Sequence, residues 1–288
     1  WASANTRKDG SLLMEDFYRW QRRRLDILID PDGEPVGGRW NYDDENRLSP
    51  PKGEHEWPAI NRRELDDVDA WVTDFLASVD GLVMKGEPPD GLWATDHDGA
   101  MQQLQYFLRH AIDEFGPYED AIVSDEPYLN HSLLSPYLNI GLLHPAEVIA
   151  AVKELSDDIA LNSVEGFIRQ IIGWREYVHG LYWWFGPDYV NENHFNDDAP
   201  VPPSFTGAHT EMNCVAHVAK WVEQDAWTHH IPRLMVLANL ATLAGIDPSK
   251  MMRWMWASFI DGAEWVMAPN VIGMGMYADG GRMSTKPY

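Results

Sequence analysis

His229, His230 and Arg233 stand close together in the stretch WTHHIPRLM. An imidazole gives or takes a proton near neutral pH, and a guanidinium supplies a charge that no physiological pH removes. Pro232 has no amide hydrogen to donate, so it either begins a helix or kinks one; both histidines then lie at a junction, where side chains can point into a cavity. Asp261 sits in an otherwise apolar turn and, if buried, needs a cationic partner. Arg233 is the candidate.

Two further stretches set polar groups among apolar ones. In HSLLSPYLNIG, residues 131–141, Ser132 and Ser135 lie near a helix start, where unpaired amide hydrogens favour an anion such as phosphate. The same letters also read as an ordinary helix cap. In GFIRQIIGWREYVHGLYWW, residues 166–184, Phe167, Ile171, Trp174, Val178 and Leu181 share one helical face, with Gln170, Arg175 and Glu176 close to it. A core helix with snorkelling ends has the same pattern. Residues 251–281 begin as a helix rich in tryptophan, Trp254 and Trp256 among them, and pass into a Gly- and Met-rich loop that can approach a flat ligand.

These residues must be positioned by helices, because apolar spacing of helical period recurs along the chain and strand-like alternation is almost absent. The periodicity predicts helices over 11–28, 64–80, 98–115, 145–156, 160–182, 213–229, 232–245 and 248–268. Residues 30–53, dense in Gly, Pro, Asp and Asn, read as an ordered connector packed on Trp40. Asp247 is an N-cap candidate before Pro248, and Gly245 stands where the preceding helix should stop. The fold class is mostly α.

Composition narrows the function classes. With 45 acidic against 22 basic residues the formal charge is −23, which opposes a polyanionic partner unless the acids clothe solvated helix faces such as RRELDDVDAWVTDF. Such a charge suits a salt-loving source. The single cysteine, Cys214, excludes a disulfide framework and a zinc site of several thiolates, and predicts a reducing, cytoplasmic setting. No apolar run is long enough to span a membrane, so no membrane partner is expected.

The stretches GGRWNYDDENR, EPYLNHSLLSPYLNIGLL, VEGFIRQIIGWREYVHGLYW, THHIPRLMVLANLATLAGIDP and EWVMAPNVIGMGMYADGG, with the ending TKPY, resemble in wording and order the photolyase and cryptochrome superfamily. The nearest likeness is to its iron-sulfur bacterial branch, the deoxyribodipyrimidine photolyase-related proteins. The resemblance runs over residues 11–288. It implies an all-helical FAD-binding domain over 64–288, incomplete at its C-terminus, preceded over 1–63 by the end of an α/β antenna domain and a connector. It implies light-driven repair of pyrimidine dimer lesions in UV-damaged DNA, foremost (6-4) photoproducts, by electron transfer from reduced FAD, in a monomer. A cryptochrome, a blue-light photoreceptor without repair activity, is the other function on this fold, and fold alone does not separate the two.

Residue by residue, the resemblance puts Ser132, Leu134 and Ser135 by the FAD phosphates, and Gln170 and Arg175 along the flavin and lesion pocket. Arg233 and Asp261 match a pair beside the flavin ring, where a fixed cation favours the reduced anion. His230 corresponds to the proton donor to the lesion and His229 to its neighbour. Leu234, Met274 and Trp174 border the flipped-out lesion. Trp254 matches an electron-transfer aromatic, although Met255 follows it where relatives carry an aromatic; Trp256 is the substitute. Met267 stands where relatives commonly place a carboxylate. Cys214 matches one ligand of a 4Fe-4S cluster; a lone thiolate cannot hold one, so the cluster is expected only in an intact protein that adds further cysteines. A lumazine-type antenna site would belong to the N-terminal domain.

Overall fold

The computed structural model describes residues 1–82, 86–155 and 158–284; the TKPY ending lies outside them. The described residues form helices joined by turns, with no strand beyond three isolated bridges. No helix among them is long and apolar enough to cross a membrane.

The central element is the helix over 161–185, built from Leu161–Ile168, a π-helical stretch Arg169–Arg175, and Glu176–Phe185. It runs three residues past its expected end because Trp183 and Trp184 continue it into solvent. One side meets Phe107, Phe115 and Ile112 through Phe167 and Ile168, all at most 4% exposed. Burying each such side chain stabilises the fold by about 1.5–3 kcal/mol. The other side receives helix Met14–Leu25: Tyr18 donates to Glu165 Oε1 at 2.8 Å. The connector closes on the same acid, since the Tyr42 amide donates to Glu165 Oε2 at 2.9 Å and Arg169 donates to Asp43 at 2.8 Å. Buried Arg22 donates to the carbonyls of Ile27, Leu28 and Trp40, and the guanidinium of Arg23 lies 4.3 Å from the centre of the Trp40 ring. The connector is thus ordered around Trp40, as its composition predicts.

Two expected helices are broken. The run 98–115 is split into His97–His110 and Ile112–Tyr118 at Ala111, whose φ of −128° leaves the helical region. The run 248–268 stops at Ser258 and resumes at Glu264, with Asp261 in the intervening turn. Asp247 does cap its helix, accepting from the amides of Ser249 and Lys250, and Gly245 does take a left-handed φ of +65°. Helix Asn213–Asp225 ends four residues early, at Ala226 with φ +51°, so 227–229 form the irregular link expected around the histidines.

Gly262 shapes the turn that holds Asp261. A Cβ there would fall 2.3 Å from the carbonyl oxygen of Trp256 and 2.7 Å from that of Phe259, and neither backbone atom can rotate away. Gly262→Ala is expected to lower stability by about 1–3 kcal/mol in urea unfolding, because a filled site must push the chain apart.

Candidate functional site

Three π-helical stretches, Arg169–Arg175, Pro232–Ala238 and Ala268–Gly275, converge on one cavity of 310 Å³. A π turn bonds i to i+5 and so inserts an extra residue, which rotates side chains out of the ordinary helical stripe; such turns gather at functional sites. Here they bring Gln170, Trp174 and Arg175, then Arg233 and Leu234, then Asn270 and Gly275 onto the cavity wall. Sequence periodicity assumes a constant turn and therefore cannot show this. The volume lies at the small end of the range of ligand pockets.

Arg233 and Asp261 meet as anticipated. The guanidinium donates from Nη1 to Oδ1 at 2.8 Å and from Nη2 to Oδ2 at 2.9 Å, while its Nε donates to the Thr228 carbonyl at 2.7 Å. Asp261 also accepts from Ser135 Oγ at 2.7 Å. The helix Ser135–Ile140 has no side-chain cap, because Leu134 occupies its N-cap position; the capping reading of SLLSP gives way, and Ser135 donates to the buried carboxylate. The Ser132 hydroxyl accepts a long bond from the Leu134 amide, 3.4 Å, and Leu133 between them holds φ +59°, a conformation strained for a leucine.

Three imidazoles share the cavity. His131 stacks on His229 with ring centroids 4.3 Å apart and planes 18° from parallel. Both nitrogens of His229, Nε2 of His131 and Oγ1 of Thr228 are buried without a partner in the chain, as is Nε of Arg175. An unsatisfied buried donor or acceptor costs about 1–3 kcal/mol, so their concentration on one cavity marks a place for a hydrogen-bonding ligand. Burial, the nearby imidazoles and Arg233 hold His229 well below its ordinary 6.5, and burial with the same charges takes His131 down to about 3. His230 lines the cavity and keeps an exposed surface; the protein packed around it, then Arg233, lowers it to about 4. All three rings are neutral at pH 7 in the chain alone.

Of the expected site residues, Ser132, Leu134, Ser135, Gln170, Trp174, Arg175, His229, His230, Arg233, Leu234 and Asp261 line this cavity. Four do not. Met274 is buried in the cluster of Leu12, Phe17 and Tyr177. Trp254 packs between Phe205 and Phe259, with centroids at 5.3 and 6.0 Å, and Trp256 is 41% exposed. Cys214 is exposed, and the described residues contain no group of three or more His, Cys, Asp or Glu able to hold a metal. Sequence reasoning overlooked His131, Trp227 and Glu119. His131 and Trp227 sit inside the stretches singled out, whereas nothing in EFGPYEDA distinguishes Glu119 from a solvated turn acid.

Glu119 closes the cavity beside Gln170, which donates to it, and Asn46. Burial raises its carboxyl from 4.5 to about 8, only partly opposed by Arg169. A folded-state value above the unfolded one means that the native chain holds the extra proton between the two, so stability falls as pH rises from about 4.5 to about 8. The three cavity histidines, with folded values below 6.5, act in the opposite sense, and their contribution fades as pH rises above 6.5. Glu119→Gln is therefore expected to flatten the dependence of the unfolding free energy on pH between 6.5 and 8, measured by urea titration. An unchanged slope would remove this assignment.

The family described as deoxyribodipyrimidine photo-lyase-related protein matches residues 2–97. The chain is 42% identical over 287 aligned positions, 96% of its length, to the (6-4) photolyase of Agrobacterium fabrum. It belongs to the photolyase-related family. The photolyase-related chain spans 55% of that relative's length. Its fold is similar to a class III photolyase from Agrobacterium tumefaciens, with TM-score 0.52 and 24% identity over 68% of this chain and 40% of the other. It is similar too to a Synechocystis cryptochrome, with TM-score 0.54 and 16% identity over 68% of this chain and 41% of the other.

Proposed function

We propose that this chain is the flavin-binding part of a light-driven DNA-repair protein that acts on pyrimidine dimer lesions, (6-4) photoproducts foremost. The observation that carries the reading is a single cavity combining the Arg233–Asp261 pair with stacked imidazoles whose buried nitrogens lack partners. Similarity to a protein named (6-4) photolyase supports it.

FAD offers a flat ring, a hydrogen-bonding edge and two phosphates. The cavity answers with Trp174, Val178, Leu234, Met267 and Val271 as apolar walls, with Ser132 and Ser135, and with the unpartnered Nε of Arg175. The residues fit. Bound FAD would supply light absorption and the transferred electron. Arg233, held by two bonds to Asp261, would place a fixed positive charge where negative charge develops. His230, facing the cavity as a neutral ring, would hydrogen-bond to the lesion and move the proton that oxygen transfer between bases requires. Leu234 and Trp174 would exclude water around an extruded base.

Cys214 is the sequence's one thiol and cannot by itself hold a 4Fe-4S cluster; a cluster in the intact protein would need further thiolates beside it. On this reading residues 64–288 form the flavin-binding domain, residues 1–63 the end of an antenna domain with its connector, and a lumazine-type antenna would lie in that N-terminal domain. The charge of −23 fits a protein that works in high salt.

The test is reconstitution of the full-length protein with FAD, reduction, and illumination with an oligonucleotide carrying a (6-4) lesion. Bound flavin and light-dependent repair are expected, with DNA affinity falling as salt rises. Failure to bind flavin would overturn the reading; bound flavin without repair would favour the photoreceptor.

A further inference from the structure

Two tryptophans of the cavity wall are left unused by the repair reading, Trp227 and Trp265, and of these Trp227 has a phenol stacked behind it. Trp227, 4% exposed, lines the cavity, lying 6.0 Å from the Arg233 guanidinium and donating from Nε1 to Ser135 Oγ at 3.5 Å. Behind it, away from the cavity, Tyr128 stacks on the indole with centroids 6.0 Å apart and planes at 19°. The Tyr128 hydroxyl donates to Asp225 Oδ2 at 2.7 Å. Trp93 completes the cluster, 6.4 Å from Trp227, and its Nε1 donates to the Asp225 carbonyl at 3.1 Å. Tyr128 is half-buried, so this line of aromatic rings leads from the cavity to the surface.

A phenol gives up an electron readily only if its proton leaves as well, and a carboxylate at 2.7 Å is a ready acceptor. Asp225 also stands at the end of helix Asn213–Asp225, where the helix's partial negative charge eases formation of a positive hole nearby. Burial raises the proton affinity of Asp225, reinforced by Asp90, while the hydrogen bond from Tyr128 and the charge of Arg62 oppose it. The expected path through Trp254 lacks this continuity: Trp254 is off the cavity, and Phe259, which is hard to oxidise, lies between it and Arg233.

We infer that Trp227, Tyr128 and Asp225 form a proton-coupled electron relay that reduces a photoexcited flavin in the cavity; the inference rests on the flavin reading above. Trp227 gives one electron to photoexcited oxidised FAD and becomes a radical cation. Tyr128 refills it with one electron while its phenol proton passes to the Asp225 carboxylate. The products are neutral Trp227, a neutral tyrosyl radical, a protonated Asp225 and a flavin one electron richer. A soluble thiol can then return the electron and proton at the half-exposed phenol.

The relay is tested on full-length protein loaded with oxidised FAD, by flash absorption and by electron paramagnetic resonance after blue light. The wild type should show a tyrosyl signal. Tyr128→Phe, which keeps the stacked ring, and Asp225→Asn, which keeps its size, should lose that signal and show faster charge recombination, with the bound-flavin spectrum unchanged. Trp254→Phe should leave the signal intact. A wild-type radical spectrum and photoreduction rate in Tyr128→Phe overturns the relay, as does loss of the signal in Trp254→Phe alone. A wild type that binds no flavin overturns the cofactor reading as well, so the two failures are distinct.

Discussion

His230→Ala is expected to lower light-driven repair of a (6-4) lesion by roughly 10²–10⁴-fold, the range for loss of a positioned proton-transfer group. Flavin binding and stability should change little. His230 shows its ring to the cavity, so truncation removes little packing and leaves no buried partner stranded. His229 provides the contrast: it is 2% exposed and stacked on His131, so its truncation opens a hole in the wall and should lower stability. The measurement is repair rate per bound flavin under single-turnover illumination, beside a denaturant curve for each variant. A His230→Ala protein that repairs at the wild-type rate removes the proposed role. A protein that loses flavin together with repair shows instead that the ring is structural.

Arg233→Ala is expected to cost about 3–5 kcal/mol of stability, as removal of one partner from a buried ion pair does. The Asp261 carboxylate, 6% exposed, would keep only the Ser135 hydroxyl as a side-chain donor. The guanidinium also lies 4.1 Å from the centre of the Phe259 ring, so packing is lost along with charge. Arg233→Lys should recover part of the loss, because an ammonium restores the charge but cannot reproduce the two-point fork. Removing both groups in Arg233→Met with Asp261→Asn should cost less than Arg233→Ala alone, since no buried charge then stands unpaired. Urea unfolding of the four proteins checks this, and a loss below 1 kcal/mol for Arg233→Ala would show that water reaches the pair.

The contrast between these two residues mirrors what was legible beforehand. Asp261 announced itself as a charge in an apolar turn, and Arg233 as a cation at the head of an apolar helix; burial leaves such groups little choice but to find each other. The helical class, the capping Asp247, the stop at Gly245 and the ordered Trp40 connector were equally readable. Each rests on backbone chemistry or apolar period, which act over a few residues.

The sequence by itself determined the helical fold, the family and the polar residues available to a site. Only the tertiary structure decided which of them share the cavity. Three π turns rotate Arg175, Arg233 and Gly275 onto one wall, and one added residue per turn leaves no mark in an apolar pattern. The structure also set Trp254 apart from the cavity and stacked Tyr128 on Trp227, a contact between segments nearly a hundred residues apart. Such pairings arise because several helices must bury their faces against one another at once, a condition on the whole packed chain rather than on any stretch of it.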